Sequence, residues 1–408
     1  MFITILFIFH FIFHFIVEKL KTNRPKTPYA AAKPRVYSYT FDRLFRPSET
    51  TQEVYERMAE SLVWSAMDGY NATIFAYGQT GSGKTYTMRG TLRRNPGIIP
   101  LAIQDVFEYI KQTPEREFLL RVSYFEIYNE VINDLLSPGS TGLQIRESKS
   151  KGIYIENLRE EIVLSPEQCM SLLAQGESHR HTSATNFNAV SSRSHTIFRV
   201  VAESKERQEP LPSNNDNIIS PSLRTDSKSF INSSVSGSVR VSCLNLIDLA
   251  GSEKASAHKI DPELRRKEGS YINKSLLTLG NVISKLSSSK SAQHIPYRDS
   301  KLTRILEPSL RGNARIAIIC ALSVSSSAFE ETHNTLKFAS RAKTIKNSAQ
   351  VNEFMDDKSL IRKYRDEINA LKKQLSAVLE AEKNLKKLEE LQSEKQRVKF
   401  HFCLFLLI

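Results

Sequence analysis

The segment GQTGSGKT, Gly78 to Thr85, constrains this chain more than any other feature. An apolar, β-rich stretch, NATIFAY (Asn71 to Tyr77), precedes it, and a helix can begin at Lys84. Strand, glycine loop and helix in that order make a phosphate cradle. Gly78, Gly81 and Gly83 let the backbone curl so that its N–H groups face an anion at a helix N-terminus. In such a loop Lys84 reaches the β- and γ-phosphates, and the Thr85 hydroxyl ligates Mg²⁺. Gln79, Thr80 and Ser82 complete the cradle, and Tyr86 just after it is available to stack on a base. A glycine turn with an incidental lysine would not need the flanking strand and helix. The motif implies a bound nucleoside triphosphate and leaves its use open.

Two further segments suit the same ligand. LNLIDLAGSE (Leu244 to Glu253) is an apolar strand ending in Asp248, then Gly251. An Asp at a buried strand end can hold magnesium through water. A Gly three residues on can set its N–H against a γ-phosphate and swing when that group leaves. NAVSSRSH (Asn188 to His195) places three serines and an arginine before a strand. Its hydroxyls can coordinate Mg²⁺ and a phosphate oxygen, though a Ser-rich turn alone carries little weight.

The rest of the chain fixes the fold class. Apolar stretches at 71–78, 118–128, 196–204, 239–251 and 314–323 alternate with helical spacing, as in Val54 to Met67 and Ser275 to Leu286. Strands apolar on both faces and separated by helices imply an α/β domain with a central sheet covered on both sides. A polar segment rich in Ser, Asn, Pro and Asp, about 208–238, joins two strands and reads as a long disordered hairpin loop. After Asn352 the sequence turns charged and helical. Ile361, Tyr364, Ile368, Leu371, Leu375, Val378 and Leu385 follow alternating spacings of three and four, apart from Glu382. This is a coiled-coil seam over 357–398; the alternative is an amphipathic helix folded back on the domain.

The 408 residues carry a formal charge of +13, which favours an acidic partner. Residues 251–347 hold about 17 basic and 8 acidic side chains. No zinc-finger spacing or RNA-binding aromatic signature points to nucleic acid, so none is expected. Four scattered cysteines make neither a disulfide framework nor a zinc site, which suits a reducing compartment.

Taken together, GQTGSGKT, SYFEIYNEVINDLL (Ser123 to Leu136), NAVSSRSH, DLAGSE and HIPYRDSKLTRIL (His294 to Leu306) resemble the kinesin motor domain in order and spacing, over 37–347. The stretch 345–375 resembles the neck of the centromere-protein-E-like class. The resemblance implies a P-loop NTPase-type central mixed sheet flanked by helices on both faces, ATP and Mg as ligands, and microtubules as partner. It places Ser191 and Ser192 in the first nucleotide switch and Asp248, Gly251 and Glu253 in the second. Arg193 would pair with Glu253 to close the pocket, while Thr85, Ser192 and, through water, Asp248 would hold Mg²⁺. Lys254, Lys274, Arg298, Lys301 and Arg304 would face tubulin. A neck linker is implied at 344–356, a homodimer through the coil, plus-end movement, and residence on cytoplasmic microtubules.

One departure stands against this. Kinesins open with a strand carrying an Arg-x-Arg-Pro motif beside the adenine, and nothing before Tyr37 supplies that motif. Arg24, in Asn23-Arg24-Pro25, is no substitute. The run MFITILFIFHFIFHFIV at 1–17 is at the lower limit for spanning a bilayer, with no basic start or cleavage site. Residues 1–36 and the apolar tail 399–408 are read as foreign to the working domain. A membrane anchor and a buried strand remain the alternatives for the run. Without a first strand, the rival to a motor is an inactive or non-motile filament-binding protein.

Overall fold

The computed structural model describes residues 2–7, 37–91, 95–148, 152–183, 192–207, 238–253, 262–288 and 294–354. Nearly all belong to one unit, Met1–Arg207 with Val239–Glu353. A second unit comprises Gln208–Ser238 with Phe354–Ile408. The expected hairpin loop (Ser238 aside), the coiled coil at 357–398 and the tail at 399–408 lie outside the described residues, as do residues 8–36.

The first unit is built on a mixed sheet. Its strands are β1 (Phe2–Phe7), β2 (Arg43–Phe45), β3 (Ala72–Tyr77), β4 (Arg116–Tyr128), β5 (Val131–Asp134), β6 (Glu161–Val163), β7 (His195–Glu206), β8 (Val239–Asp248) and β9 (Arg315–Leu322). They lie in the order β6-β4-β7-β8-β3-β9-β1-β2, with β5 paired to β4. β8, β3, β9, β1 and β2 run parallel to one another, whereas β7 is antiparallel to both β4 and β8. The β7–β8 pairing runs from Thr196↔Asp248 to Lys205↔Val239, the register of a hairpin.

Helices cover both faces because the central strands are apolar on both. Along β3, Ala72, Ile74 and Ala76 enter one core and Phe75 enters the other. The first core is closed by α1 (Glu60–Met67), α2 (Lys84–Arg89), α3 (Ile98–Gln112) and α4 (Pro166–Ser183), through Leu62, Met88, Ile103 and Leu173. The second is closed by α5 (Pro262–Leu286), α6 (Lys301–Leu310) and α7 (Phe329–Lys343), through Leu279, Ile305 and Phe338. Side chains that alternate across a strand give each face its own apolar stripe. The parallel strands β8 and β3 therefore end together, and their ends carry the phosphate loop and Asp248.

The expectation of a missing first strand is corrected here. β1 pairs in parallel with β9 from Phe2↔Ala317 to Phe7↔Leu322, and with β2 from Thr4↔Arg43 to Leu6↔Phe45. The cause is the two-faced burial of β9, where Ile316 to Leu322 are all buried. A parallel neighbour of such a strand is almost continuously apolar, and FITILF, polar only at Thr4, meets that need. Periodicity could not separate this from a membrane segment, because neither pattern alternates. Among the described residues no helix is long and apolar enough to cross a membrane. Deleting residues 1–7 is accordingly expected to lower the melting temperature by roughly 5 °C or more, since it unpairs β9 and strands β2. An unchanged melting curve would show that β1 contributes nothing to the fold.

Beyond α7 the chain runs back along the sheet. Ile345 is buried, and Asn347 Nδ2 donates to Ser309 O at 3.3 Å and Ala314 O at 3.0 Å. Asn352 N–H donates to Gly69 O at 3.0 Å, and Asn352 O accepts from Val241 N–H at 3.0 Å. The segment expected as a neck linker is thus held, as far as Glu353, beside the start of β8.

Candidate functional site

The phosphate loop leaves β3 through Gly78, where φ is +149° and a Cβ would collide with the Ala321 carbonyl of β9. It enters α2 through Gly83, which caps the helix in the left-handed region at φ +97°. Only glycine takes both positions without strain. Between them the loop closes on itself. Gln79 O accepts from Ser82 Oγ and from Lys84 Nζ, each at 2.8 Å. Lys84 is buried, and that burial pulls its pKa down while Asp248 and Glu253 push back.

Three segments distant in sequence meet at this loop. Thr85 Oγ1 donates to Asp248 Oδ2 at 2.6 Å. Gly251 N–H donates to Ser192 O at 2.9 Å, and Ser252 N–H to Gly78 O at 3.0 Å. Glu253 reaches back over the loop, accepting from the Thr80 N–H at 2.7 Å and from the Thr80 hydroxyl. A Cβ on Gly251 would strike both Thr80 Oγ1 and the Glu253 carboxylate, so a side chain there would displace this contact. Asp248 is 2% exposed, and its Oδ1 has no hydrogen-bond partner among the described residues. A buried carboxylate oxygen beside a hydroxyl is an oxygen donor set suited to magnesium.

Of the residues singled out from sequence, 78–85, Ser192, Asp248, Gly251 and Glu253 converge here. Tyr86, 41% exposed, stands on the outer side of α2. Arg193 is half-buried beside Ser192, whereas Ser191 lies outside the described residues. The described hydrogen bonds of Glu253 go to Thr80 rather than to Arg193.

Sequence reasoning missed the buried polar frame behind the site. Arg89, at the end of α2, pairs with Glu177 of α4 and approaches Asp248 Oδ2 at 3.8 Å. Glu177 also accepts from the Tyr124 hydroxyl. Arg180, 2% exposed, donates from Nε and Nη2 to Ser194 Oγ at 3.3 and 3.1 Å. The frame pins the phosphate helix, the strand end and the first switch to one another. A faint signal existed: Arg89 falls four residues after Thr85, on the same helical face. His195, the first residue of β7, is buried, and its pKa is pushed down to about 3 by that burial and then by Lys84 and Arg180.

The five residues expected at tubulin are not alike. Lys274 on α5 is exposed, and Lys254 lies outside the described residues. Arg298 is 78% exposed and meets Glu147 at 3.4 Å. Lys301 is half-buried, with Nζ at 3.4 Å from Leu143 O. Its N–H, with the Ser300 hydroxyl, is received by Glu130, which fixes the start of α6 to the β4–β5 turn. Arg304 is only 13% exposed and is paired with Glu147 and Glu307. Its charge is met within the chain, and among the described residues of the five, Arg298 and Lys274 are the exposed ones.

Comparison with known proteins agrees with this geometry. The family described as the kinesin motor domain matches residues 14–345. Kinesin-related protein 11 of Dictyostelium discoideum is 56% identical over 364 residues, 89% of this chain and 50% of that protein. Kinesin-like protein KIN-7L, chloroplastic, of Arabidopsis thaliana is 53% identical over 357 residues, 88% of this chain and 34% of that protein. The chain therefore spans about half the length of the first relative and about a third of the second. Among solved structures, a fast kinesin aligns with a TM-score of 0.68 at 39% identity, covering 79% of this chain and 84% of that one. A KIF14 dimer in complex with a microtubule aligns with a TM-score of 0.67 at 40% identity, covering 81% and 88%. With its phosphate loop, Asp248–Glu253 segment and sheet order in place, the chain belongs to the kinesin motor-domain family.

Proposed function

We propose that the protein is a microtubule-stimulated ATPase that couples hydrolysis to movement along the filament. The observation carrying this reading is the Thr80–Glu253 contact. Together with Gly251–Ser192 it links phosphate loop and both switches into one closed unit. Phosphoryl transfer asks mainly for positioning and charge stabilisation, which such a unit provides. Lys84 faces the β- and γ-phosphates, and Ser191 and Ser192 line the γ-phosphate side. Thr85, Ser192 and, through water, Asp248 would hold Mg²⁺, which when bound neutralises phosphate charge. Arg193 pairs with Glu253 in the fully closed state, and Tyr86 stacks on the base. β1 carries no Arg-x-Arg-Pro motif, so the remaining adenine contacts fall to other groups.

The inactive alternative rested on a sheet lacking its first strand, and β1 now fills that place. The contacts of Asn347 and Asn352 support 344–356 as a neck linker, and the seam at 357–398 supports a homodimer. A motor ahead of its neck supports plus-end movement. The class is that of centromere-protein-E-like kinesins, a reading supported by the neck sequence and by relatives named KIN-7. Such a motor works on cytoplasmic microtubules.

Arg298→Ala with Lys301→Ala is expected to weaken microtubule binding about tenfold at low salt and to flatten its salt dependence, because exposed charges act through screened attraction. Co-sedimentation across a salt series measures both, and nucleotide affinity without filaments should hold. An equal loss of nucleotide affinity would mean that these residues support the fold.

A further inference from the structure

The imidazole of His195 touches two elements that the motor reading needs to move. Its Nδ1 accepts from the Ala250 N–H at 3.0 Å, and its Nε2 lies 2.7 Å from Ser275 Oγ. A backbone N–H can only donate, so Nδ1 carries no proton, and the neutral ring donates from Nε2 to the serine. Ala250 immediately precedes Gly251, whose own N–H bonds to Ser192 O. Ser275 is 2% exposed on α5, and its neighbour Lys274 is exposed on the same helix. One rigid ring therefore spans from the backbone beside the γ-phosphate sensor to the helix bearing a filament-facing lysine.

We propose that His195 is a positioning residue that couples the loop at Ala250–Gly251 to helix α5, making filament affinity depend on nucleotide state. The inference rests on the motor reading above and adds a residue to it. Because neither contact extends to a phosphate or to tubulin, His195 acts only through its two partners. When Gly251 shifts, Ala250 shifts with it, and the ring must either carry Ser275 along or release it. Both bonds are buried, so release leaves an unpaired polar group that costs free energy. Joint motion is the favoured course.

The two nitrogens can be cut separately in the full chain. Asn offers an acceptor near the position of Nδ1, keeping Ala250 and losing Ser275. Gln offers a donor near that of Nε2, keeping Ser275 and losing Ala250. Ser275→Ala cuts the second bond from the other side. For each variant, microtubule dissociation constants are measured with ADP and with a non-hydrolysable ATP analogue, and their ratio is compared with that of the parent. His195→Asn, His195→Gln and Ser275→Ala are each expected to lower that ratio at least fivefold. A purely structural role would shift both constants by one factor and leave the ratio intact, which overturns the proposal. Ser275→Ala keeps the test decisive where a His195 variant fails to fold, since a parental ratio in that variant alone is sufficient to overturn it. A ratio of one in the parent would instead overturn the motor reading, and this inference with it.

Discussion

Lys84→Ala is expected to cut ATP turnover at least about a hundredfold, the scale seen when a preorganised charge is removed from a transition state. The lysine is buried at the mouth of α2, with Asp248 and Glu253 nearby. Its Nζ bond to Gln79 O, at 2.8 Å, is the stabilising contact at stake. Losing one such bond from a charged donor costs about 1.5–3 kcal/mol, so the fold should survive. Turnover assays paired with a thermal melt separate the two effects. Normal turnover in a folded variant would remove the phosphate role assigned to the loop.

Glu253→Ala should act on closure rather than on binding. The carboxylate holds the Thr80 N–H and hydroxyl, so its loss frees the second switch from the phosphate loop. We expect hydrolysis to fall roughly a hundredfold, since oriented closure supplies much of the barrier reduction in phosphoryl transfer. ATP affinity, set mainly by the cradle, should change by less than about threefold. Single-turnover hydrolysis and nucleotide titration give the two numbers. If affinity alone dropped, Glu253 would belong to binding, and the proposed Arg193–Glu253 closure would be unsupported.

The phosphate loop, Asp248 and the β7–β8 hairpin were legible because their signals are local: a glycine spacing, an acid at a strand end, two strands flanking a polar segment. β1 was not legible, because its place depends on Ala317 to Leu322, some three hundred residues away, and an unbroken apolar run has no register to read. Arg304 was half legible. Its motif is local, but its partner Glu147 sits 157 positions earlier, in the hairpin Ile145–Ser148 with Gly152–Ile155. The frame of Arg89, Tyr124, Glu177 and Arg180 was hidden for the same reason. Each is an ordinary polar residue until the fold brings it beside the others and away from water.

If the closed phosphate site is coupled to a filament, ATP turnover must respond to microtubules. Steady-state ATP turnover by the full chain, measured across a microtubule titration, tests it most directly. The account predicts slow turnover alone and a saturable rise of at least about tenfold with microtubules, as expected when a conformational step gated by a partner limits the cycle. Turnover that stays at its basal value through saturating microtubules would contradict it.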